Sequence, residues 1–222
     1  RAFKASGAVT GADDRDRLAP ALYQSDRAVS VPLINDPKYV PALADLVREH
    51  DVRLVVPLTD LDHAILSRAR DPLAPALVLL PDPETCERMS DKLEAHRFFV
   101  AHGIASPRSW AREDVPADAR YPLLVKAREG FGSRHIFRAD DPEQLAFFLG
   151  YTEAESFVQE RCRGEEFSID VFCDMESRCL NAIPRTMIQS KGGESIKGKS
   201  IKDEELIEHG RLVAETVGIK GP

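Results

Sequence analysis

The stretch that decides the fold is YPLLVKAREGFGSR, residues 121–134. Its apolar run, Pro122–Val125, predicts a buried strand that delivers Lys126 into the loop Gly130-Phe131-Gly132-Ser133. The strand fixes where the lysine points, and the glycines let backbone N–H groups turn towards one concave spot. This combination predicts a phosphate-binding loop. An ordinary hairpin with a surface lysine is the alternative, and the loop by itself does not decide between them.

Composition narrows the class of protein. The chain has 222 residues, 43% of them hydrophobic and 30% charged, as expected for a soluble globular protein with room for two domains. Its formal net charge of -7 argues against a nucleic-acid surface. No apolar run is long enough to span a membrane. The cysteines form no CxxC pair and the histidines no HxH or HExxH pattern, so we expect reduced thiols, a cytoplasmic location and no histidine-built metal site.

The first eighty residues alternate between strand and helix patterns. Apolar runs at 28–31, 52–58 and 76–80 predict strands, with helical spacing at 41–50 and 61–69. The run VRLVVPL at 52–58 predicts a buried parallel-type strand. The order is typical of a doubly wound parallel α/β sheet, whose ligands bind beyond the carboxyl ends of strands. Thr59, Asp60 and Asp62 follow such an end; helix capping by Thr59 or Asp60 is favoured over a substrate role.

The pattern changes after residue 81. Ser90-Asp91-Lys92 predicts a cap and a helix to about His102, with Leu93, Phe98, Phe99 and Val100 inward. Antiparallel strands then follow, including EEFSIDVFC at 165–173 and its partner at 179–188. Residues 189–200 are polar and predict a loop, and Asp203 predicts the cap of a last helix. The inward positions predicted for that helix are Leu206, Ile207, Leu212, Val213 and Val217.

One motif is a decoy. Gly193–Ser200, GESIKGKS, satisfies the P-loop expression GxxxxGK[ST]. A P-loop needs a preceding strand and a helix that begins at its lysine. Here the helix is expected only after Asp203, so a P-loop NTPase that uses Lys199 stays a remote alternative.

The order of five segments resembles the ATP-grasp superfamily, especially the large subunit of carbamoyl phosphate synthetase and its stand-alone relatives. The segments are Ser90-Asp91-Lys92, Lys126 on its strand, the glycine loop, Phe157–Phe172 and the KGGES loop. The resemblance implies an α/β pre-ATP-grasp-like domain at residues 1–85, without its first strand. An α+β ATP-grasp domain with antiparallel sheet follows at 86–222. We expect a glycine-loop subdomain at about 121–157 and a truncated C-terminal subdomain from about 158.

The same resemblance implies an ATP site. Lys92 and Lys126 resemble the lysines that hold the α- and β-phosphates, where a compact ammonium charge suffices. Gln159, Glu160, Arg161 and Cys162 resemble the adenine-binding hinge, Glu166 the ribose-binding carboxylate, and Lys191 a residue beside the phosphates. Arg128 is a further candidate cation for phosphate charge, and Arg185 is a weak candidate for a contact to the acid substrate; no catalytic residue is assigned. The alternatives stay open: a first-turn helix residue for Lys92, and solvent exposure for Glu166 and Lys191.

The activity implied is ATP-dependent ligation with Mg²⁺. A carboxylate or bicarbonate is activated as an acyl phosphate and then attacked by an amine or similar nucleophile. The expected partners are ATP, the small acid and the acceptor, without nucleic acid or membrane, and with a homodimer left open. The family's metal ligands are expected beyond Pro222, which predicts an inactive fragment. A non-catalytic nucleotide-binding module or subunit of the same fold is the alternative. An acidic residue and a Glu-x-Asn-Pro-Arg-type segment past Pro222 would favour the enzyme.

Overall fold

The computed structural model describes residues 11–13, 20–130, 135–191 and 194–222. The chain forms two compact units, Arg1–Leu79 and Leu80–Pro222. The proposed domain boundary at residues 85/86 stays a prediction. Within the described ranges, no helix combines the length and the apolar character needed to cross a membrane.

The first unit is a mixed α/β structure with parallel strand pairs, which confirms the fold class expected for it. Strand β1 (Gly11–Asp13) pairs with β2 (Arg27–Val29), and β3 (Leu54–Val55) pairs with β4 (Leu77–Val78). Helices connect and follow these strands, because a parallel pair needs a crossover connection. They are α1 (Tyr39–Glu49) and α2 (His63–Arg68), with 3-10 turns at Pro20–Tyr23 and Asp60–Asp62.

The prediction of a buried strand over 52–58 was wrong in extent. Only Leu54–Val55 is strand, and Leu58 is 88% exposed. Arg53 and Pro57 interrupt the apolar run. The sheet of β3 and β4 has only two strands among the described residues, so it buries little of either of its faces. Thr59 does cap the following turn, since its hydroxyl accepts from the Leu61 N–H at 3.4 Å.

The second unit begins with two consecutive helices. Helix α3 (Pro83–Ser90) was not predicted, although Asp82 accepts from the Thr85 N–H at 3.0 Å and Pro83 opens it, both ordinary start signals. Helix α4 (Lys92–Ala101) begins where expected, with Asp91 accepting from the backbone N–H groups of Leu93 and Glu94.

An antiparallel sheet follows, in the order β5-β8-β6-β7. Its strands are β5 (Ser109–Ala111), β6 (Leu123–Ala127), β7 (Ile136–Ala139) and β8 (Ser156–Glu160). Helix α5 (Pro142–Tyr151) covers one face, where Leu123, Val125, Ala139, Leu145 and Val158 form a buried core. Because side chains alternate along β6, Leu124 and Lys126 lie on the other face.

A second antiparallel sheet has the order β11-β10-β9: β9 (Phe167–Cys173), β10 (Cys179–Lys191) and β11 (Glu194–Ser200). Helix α6 (Glu204–Val217) follows, capped by Asp203 as predicted. The predicted loop at 189–200 was wrong, because most of it extends β10 and forms β11. The segment GESIKGKS therefore ends in a strand, and the next helix begins after Asp203, which contradicts the P-loop arrangement.

Two of the predicted inward positions on the helices are exposed. Val100 of α4 is 57% exposed and Leu212 of α6 is 51% exposed. Leu93 and Val217 are buried as expected. A helix that packs against other elements on one side buries only one stripe of its surface, so apolar residues beside that stripe remain in solvent.

Candidate functional site

Lys126 occupies the face of β6 opposite the core. Its side chain is half-buried, and its amine donates to Oε1 of Gln159 at 3.1 Å. Burial lowers the pKa of Lys126, and the positive charge of Lys92 lowers it further. The two predicted phosphate lysines, which are far apart in sequence, are therefore electrostatic neighbours. Two adjacent ammonium groups favour an anion between them.

Lys92 links the start of α4 to the base of the glycine loop. Its amine donates to the carbonyl oxygen of Gly130 at 2.9 Å and to that of Arg128 at 3.3 Å. Its backbone N–H also donates to the Arg128 carbonyl at 2.9 Å. Gly130 has φ = +116°, a conformation that L side chains rarely adopt. The loop's first glycine is thus required by the backbone next to Lys92.

Arg128 is held by carboxylates, which its sequence role as a phosphate contact did not anticipate. Its Nε donates to Asp91 Oδ2 at 2.9 Å, its Nη2 bonds the same oxygen, and its Nη1 pairs with Glu155. Glu94 lies 3.4 Å from Nη2. The guanidinium charge is thus shared among acidic groups, and its role here is to fasten the start of α4 to the end of β6.

Gln159 orients Lys126 through a short chain of hydrogen bonds. Its Nε2 donates to Ser109 Oγ at 2.9 Å, and that hydroxyl donates to the Pro107 carbonyl at 2.9 Å. Ser109 and Leu124 are both register partners of Gln159, so the three residues share one face of the sheet. The Gln159 side-chain amide therefore accepts from Lys126 and donates to Ser109, and its contact with adenine stays a prediction.

The remaining hinge residues have different surroundings. Glu160 accepts from the Arg108 backbone N–H at 3.0 Å and from its Nε at 2.9 Å. These bonds, the backbone one first, lower the pKa of Glu160. Arg161 and Cys162 follow β8 in an exposed segment, and Glu166 is exposed just before β9. Their nucleotide roles stay predictions.

Three predicted loop residues, Phe131, Gly132 and Ser133, lie outside the described residues. Lys191 is the last residue of β10, and the role of its side chain stays a prediction. Arg185 of β10 pairs with Asp170 at 3.0 Å, with its side chain 32% exposed. That ion pair accounts for its charge, so the structure adds nothing to its weak candidacy as a substrate contact.

Asp62 has a structural role. Asp62, placed by sequence near a possible substrate edge, is buried and accepts from the Tyr39 hydroxyl at 2.9 Å. Burial raises its pKa.

As for metals, the described part of the chain contains no group of three or more His, Cys, Asp or Glu side chains able to hold an ion. The described residues therefore do not form a Mg²⁺ site by themselves.

Comparisons with known proteins place this geometry in a family. The ATP-grasp domain family matches residues 89–221, and the PylC-like N-terminal domain family matches residues 1–79. The chain therefore belongs to the ATP-grasp family. Curated protein sequences yield no match.

Solved structures share the fold at low sequence identity. Biotin carboxylase from Campylobacter jejuni, in complex with β-γ-ATP, matches with a TM-score of 0.79 and 17% identity over 99% of this chain and 56% of that chain. The biotin carboxylase domain of 2-oxoglutarate carboxylase from Hydrogenobacter thermophilus, in complex with MgADP, ADP and bicarbonate, has a TM-score of 0.75 and 17% identity over 99% and 55%.

An L-amino acid ligase from Bacillus licheniformis has a TM-score of 0.71 and 18% identity over 98% of this chain and 56% of that chain. The chain thus spans a little more than half the length of these three proteins. At such identity the likeness concerns the fold.

Proposed function

We propose that this chain is the ATP-binding part of an ATP-dependent ligase that activates a carboxylate or bicarbonate as an acyl phosphate. The observation that carries the proposal is the pairing of Lys126 and Lys92, from a strand and a helix start, at the base of a loop that begins with a positive-φ glycine. Membership of the ATP-grasp family supports it.

In the proposed reaction, a carboxylate oxygen attacks the γ-phosphorus of ATP, the bond to the β,γ-bridging oxygen breaks, and ADP leaves. An amine then attacks the acyl carbon, and inorganic phosphate leaves with the electron pair of the broken C–O bond. The ammonium groups of Lys92 and Lys126 would neutralise phosphate oxygens. Gln159 would keep the amine of Lys126 on the nucleotide side of the sheet.

The finer parts of the proposal rest on resemblance. On that resemblance we also propose that Glu166 binds the ribose, that Gln159–Cys162 contact the adenine and that Lys191 lies beside the phosphates. The proposal further includes a need for Mg²⁺, a cytoplasmic location and an amine acceptor. A carbamoyl phosphate synthetase-like reaction with bicarbonate is the narrower candidate. An amino-acid substrate is the alternative, since the solved structures with this fold include a complex with bicarbonate and an L-amino acid ligase.

The first test is calorimetric titration of the chain with a non-hydrolysable ATP analogue, with and without Mg²⁺. Lys126→Ala should weaken binding at least about tenfold, because a desolvated charge-assisted contact contributes more than about 1.4 kcal/mol. Lys199→Ala is the matched control, since it removes the same charge from the exposed strand β11. Unchanged binding in Lys126→Ala, or a loss confined to Lys199→Ala, would overturn the proposal.

A second test follows the acyl phosphate itself. With ¹⁸O-labelled bicarbonate or amino-acid carboxylates and an amine acceptor, the whole protein should transfer one labelled oxygen to the phosphate released. Label from bicarbonate alone would favour the carbamoyl phosphate synthetase-like reaction. Label from an amino-acid carboxylate would favour a ligase of amino acids, and phosphate without label would contradict carboxylate activation.

A further inference from the structure

A second basic region lies in the same unit as the candidate nucleotide site, at the other end of β6. In the antiparallel order β5-β8-β6, the starts of β5 and β6 and the end of β8 meet at one edge. A groove of about 280 Å³ opens there. We call it the arginine groove; its polar lining is Arg108, Arg120, Tyr121, Glu160, Arg161 and Arg163.

The charges in this groove are unbalanced. Glu160 is bound to Arg108, whose guanidinium carbon also lies 5.8 Å from the centre of the Trp110 ring. Glu160 therefore neutralises the charge of Arg108 and holds its side chain at one side of the groove. Arg120, Arg161 and Arg163 make no ion pair or hydrogen bond with any residue that the structure describes. An excess of three positive charges in one groove stands out in a chain whose net charge is -7.

The groove is separate from the lysine pair. Lys126 is in register with Phe157, whereas Glu160 is in register with Leu123. Leu123 lies on the face of the α5 core, opposite Lys126, and three residues along an extended strand cover about 10 Å. An anion held between Lys92 and Lys126 would therefore not fill the arginine groove.

We propose that the side chains of the arginine groove bind a small anion that carries phosphate groups, apart from the lysine pair. Glu160 and Arg161 also belong to the proposed adenine hinge, so the groove adjoins that hinge, and its anion would be held by side chains that the nucleotide phosphates do not reach. Guanidinium groups match phosphate oxygens with paired donors, and several of them around one cavity exceed what a monocarboxylate can satisfy. The volume of about 280 Å³ is just below the usual range of small-molecule sites, which favours a ligand of the size of pyrophosphate over a nucleotide. The acidic net charge of the chain argues against a nucleic-acid backbone.

The test is calorimetric titration with inorganic pyrophosphate in the Lys126→Ala background, which removes the lysine site. Adding Arg120→Ala and Arg163→Ala should weaken binding about tenfold or more, since each arginine offers charge-assisted hydrogen bonds. Both side chains are exposed and without partners among the described residues, so thermal unfolding should stay unchanged. The matched control is Arg138→Ala with Arg211→Ala in the same background, which removes equal charge outside the groove.

Retained pyrophosphate binding in Lys126→Ala and in the control, with loss only in the groove variant, supports the site. Three results overturn it: loss of binding in Lys126→Ala itself, equal loss in the groove and control variants, or no binding in either. In the Lys126-containing chain, Arg120→Ala/Arg163→Ala should leave binding of the ATP analogue unchanged. A parallel loss there would mean that the groove belongs to the nucleotide site. This result is independent of whether carboxylate activation is the reaction.

Discussion

Replacing Arg128 by alanine should loosen the join between helix α4 and strand β6. The Arg128 and Asp91 side chains are 22% and 15% exposed, and two guanidinium nitrogens bond one carboxylate oxygen. Hydrogen bonds between charged groups contribute about 1.5–3 kcal/mol each when shielded from water. Glu155 is 75% exposed, so its pairing adds little. We therefore expect Arg128→Ala to lower the free energy of unfolding by about 2–3 kcal/mol, since Asp91 keeps its backbone donors.

Urea denaturation with a double-mutant cycle measures this contribution. Arg128→Ala, Asp91→Ala and the double variant should give a coupling energy of about 1.5–2 kcal/mol between the two side chains. Arg138→Ala is the control, because Arg138 and its partner Asp140 are 53% and 50% exposed and should contribute no more than about 0.5 kcal/mol. A loss for Arg128→Ala no larger than that control, or a coupling energy within about 0.5 kcal/mol of zero, would refute the reasoning.

The other predictions concern pH and packing. Burial would raise the pKa of Asp91, but hydrogen bonds from Arg128 and from the Glu94 and Leu93 backbones outweigh burial and hold the pKa below 3.8. Because the folded-state pKa is the lower one, this stabilisation is complete above the unfolded pKa and is lost as pH falls below 3.8 through the folded pKa. The stability gap between wild type and Asp91→Asn, from urea midpoints at several pH values, should therefore shrink in acid; a constant gap would contradict it. In Gly210→Ala, the new Cβ would lie 2.7 Å from Ile169 Cγ2. Overpacking of about 1–3 kcal/mol then opposes a helix-propensity gain of about 1 kcal/mol, so we expect net destabilisation up to about 2 kcal/mol. In Gly150→Ala the new Cβ meets nothing within 4 Å, so this variant should be neutral or stabilising. Thermal unfolding of the two variants measures the difference, and equal effects at the two glycines would disprove the packing argument.

The parts of the fold that the sequence predicted well are those in which one face is buried. The strand of Lys126 and the helix after Asp91 carry their own signals, a dense apolar run and a capping carboxylate. Strand β11 carries neither signal, because it is defined by hydrogen bonds to β10 and both its faces are largely polar. Propensity and periodicity do not report such pairing, which is why 189–200 was mistaken for a loop.

The candidate site divides in the same way. The order of segments along the chain singled out Lys92 and Lys126 without any knowledge of their contacts, and their role as phosphate ligands stays a prediction. What the sequence missed are contacts between distant positions: Gln159 with Lys126, and Arg128 with Asp91. The arginine groove likewise forms only because three strand ends meet. No local pattern contains that information, since each arginine read alone is a solvated surface residue.

Strand β11 also explains why the P-loop expression is matched by a segment that ends in a strand. Among the residues that the structure describes, β11 is the outer strand of its sheet, and Lys197 and Lys199 are exposed on it. Charged side chains on an edge strand disfavour the pairing of that strand with a strand of a second copy, which would begin aggregation. Glycine at 198 fits because its Cα faces the Thr186 carbonyl, where a Cβ would approach to 2.6 Å. Exposed lysines on an edge strand, next to a glycine that close packing requires, are therefore enough to match the sequence pattern of a phosphate-binding loop.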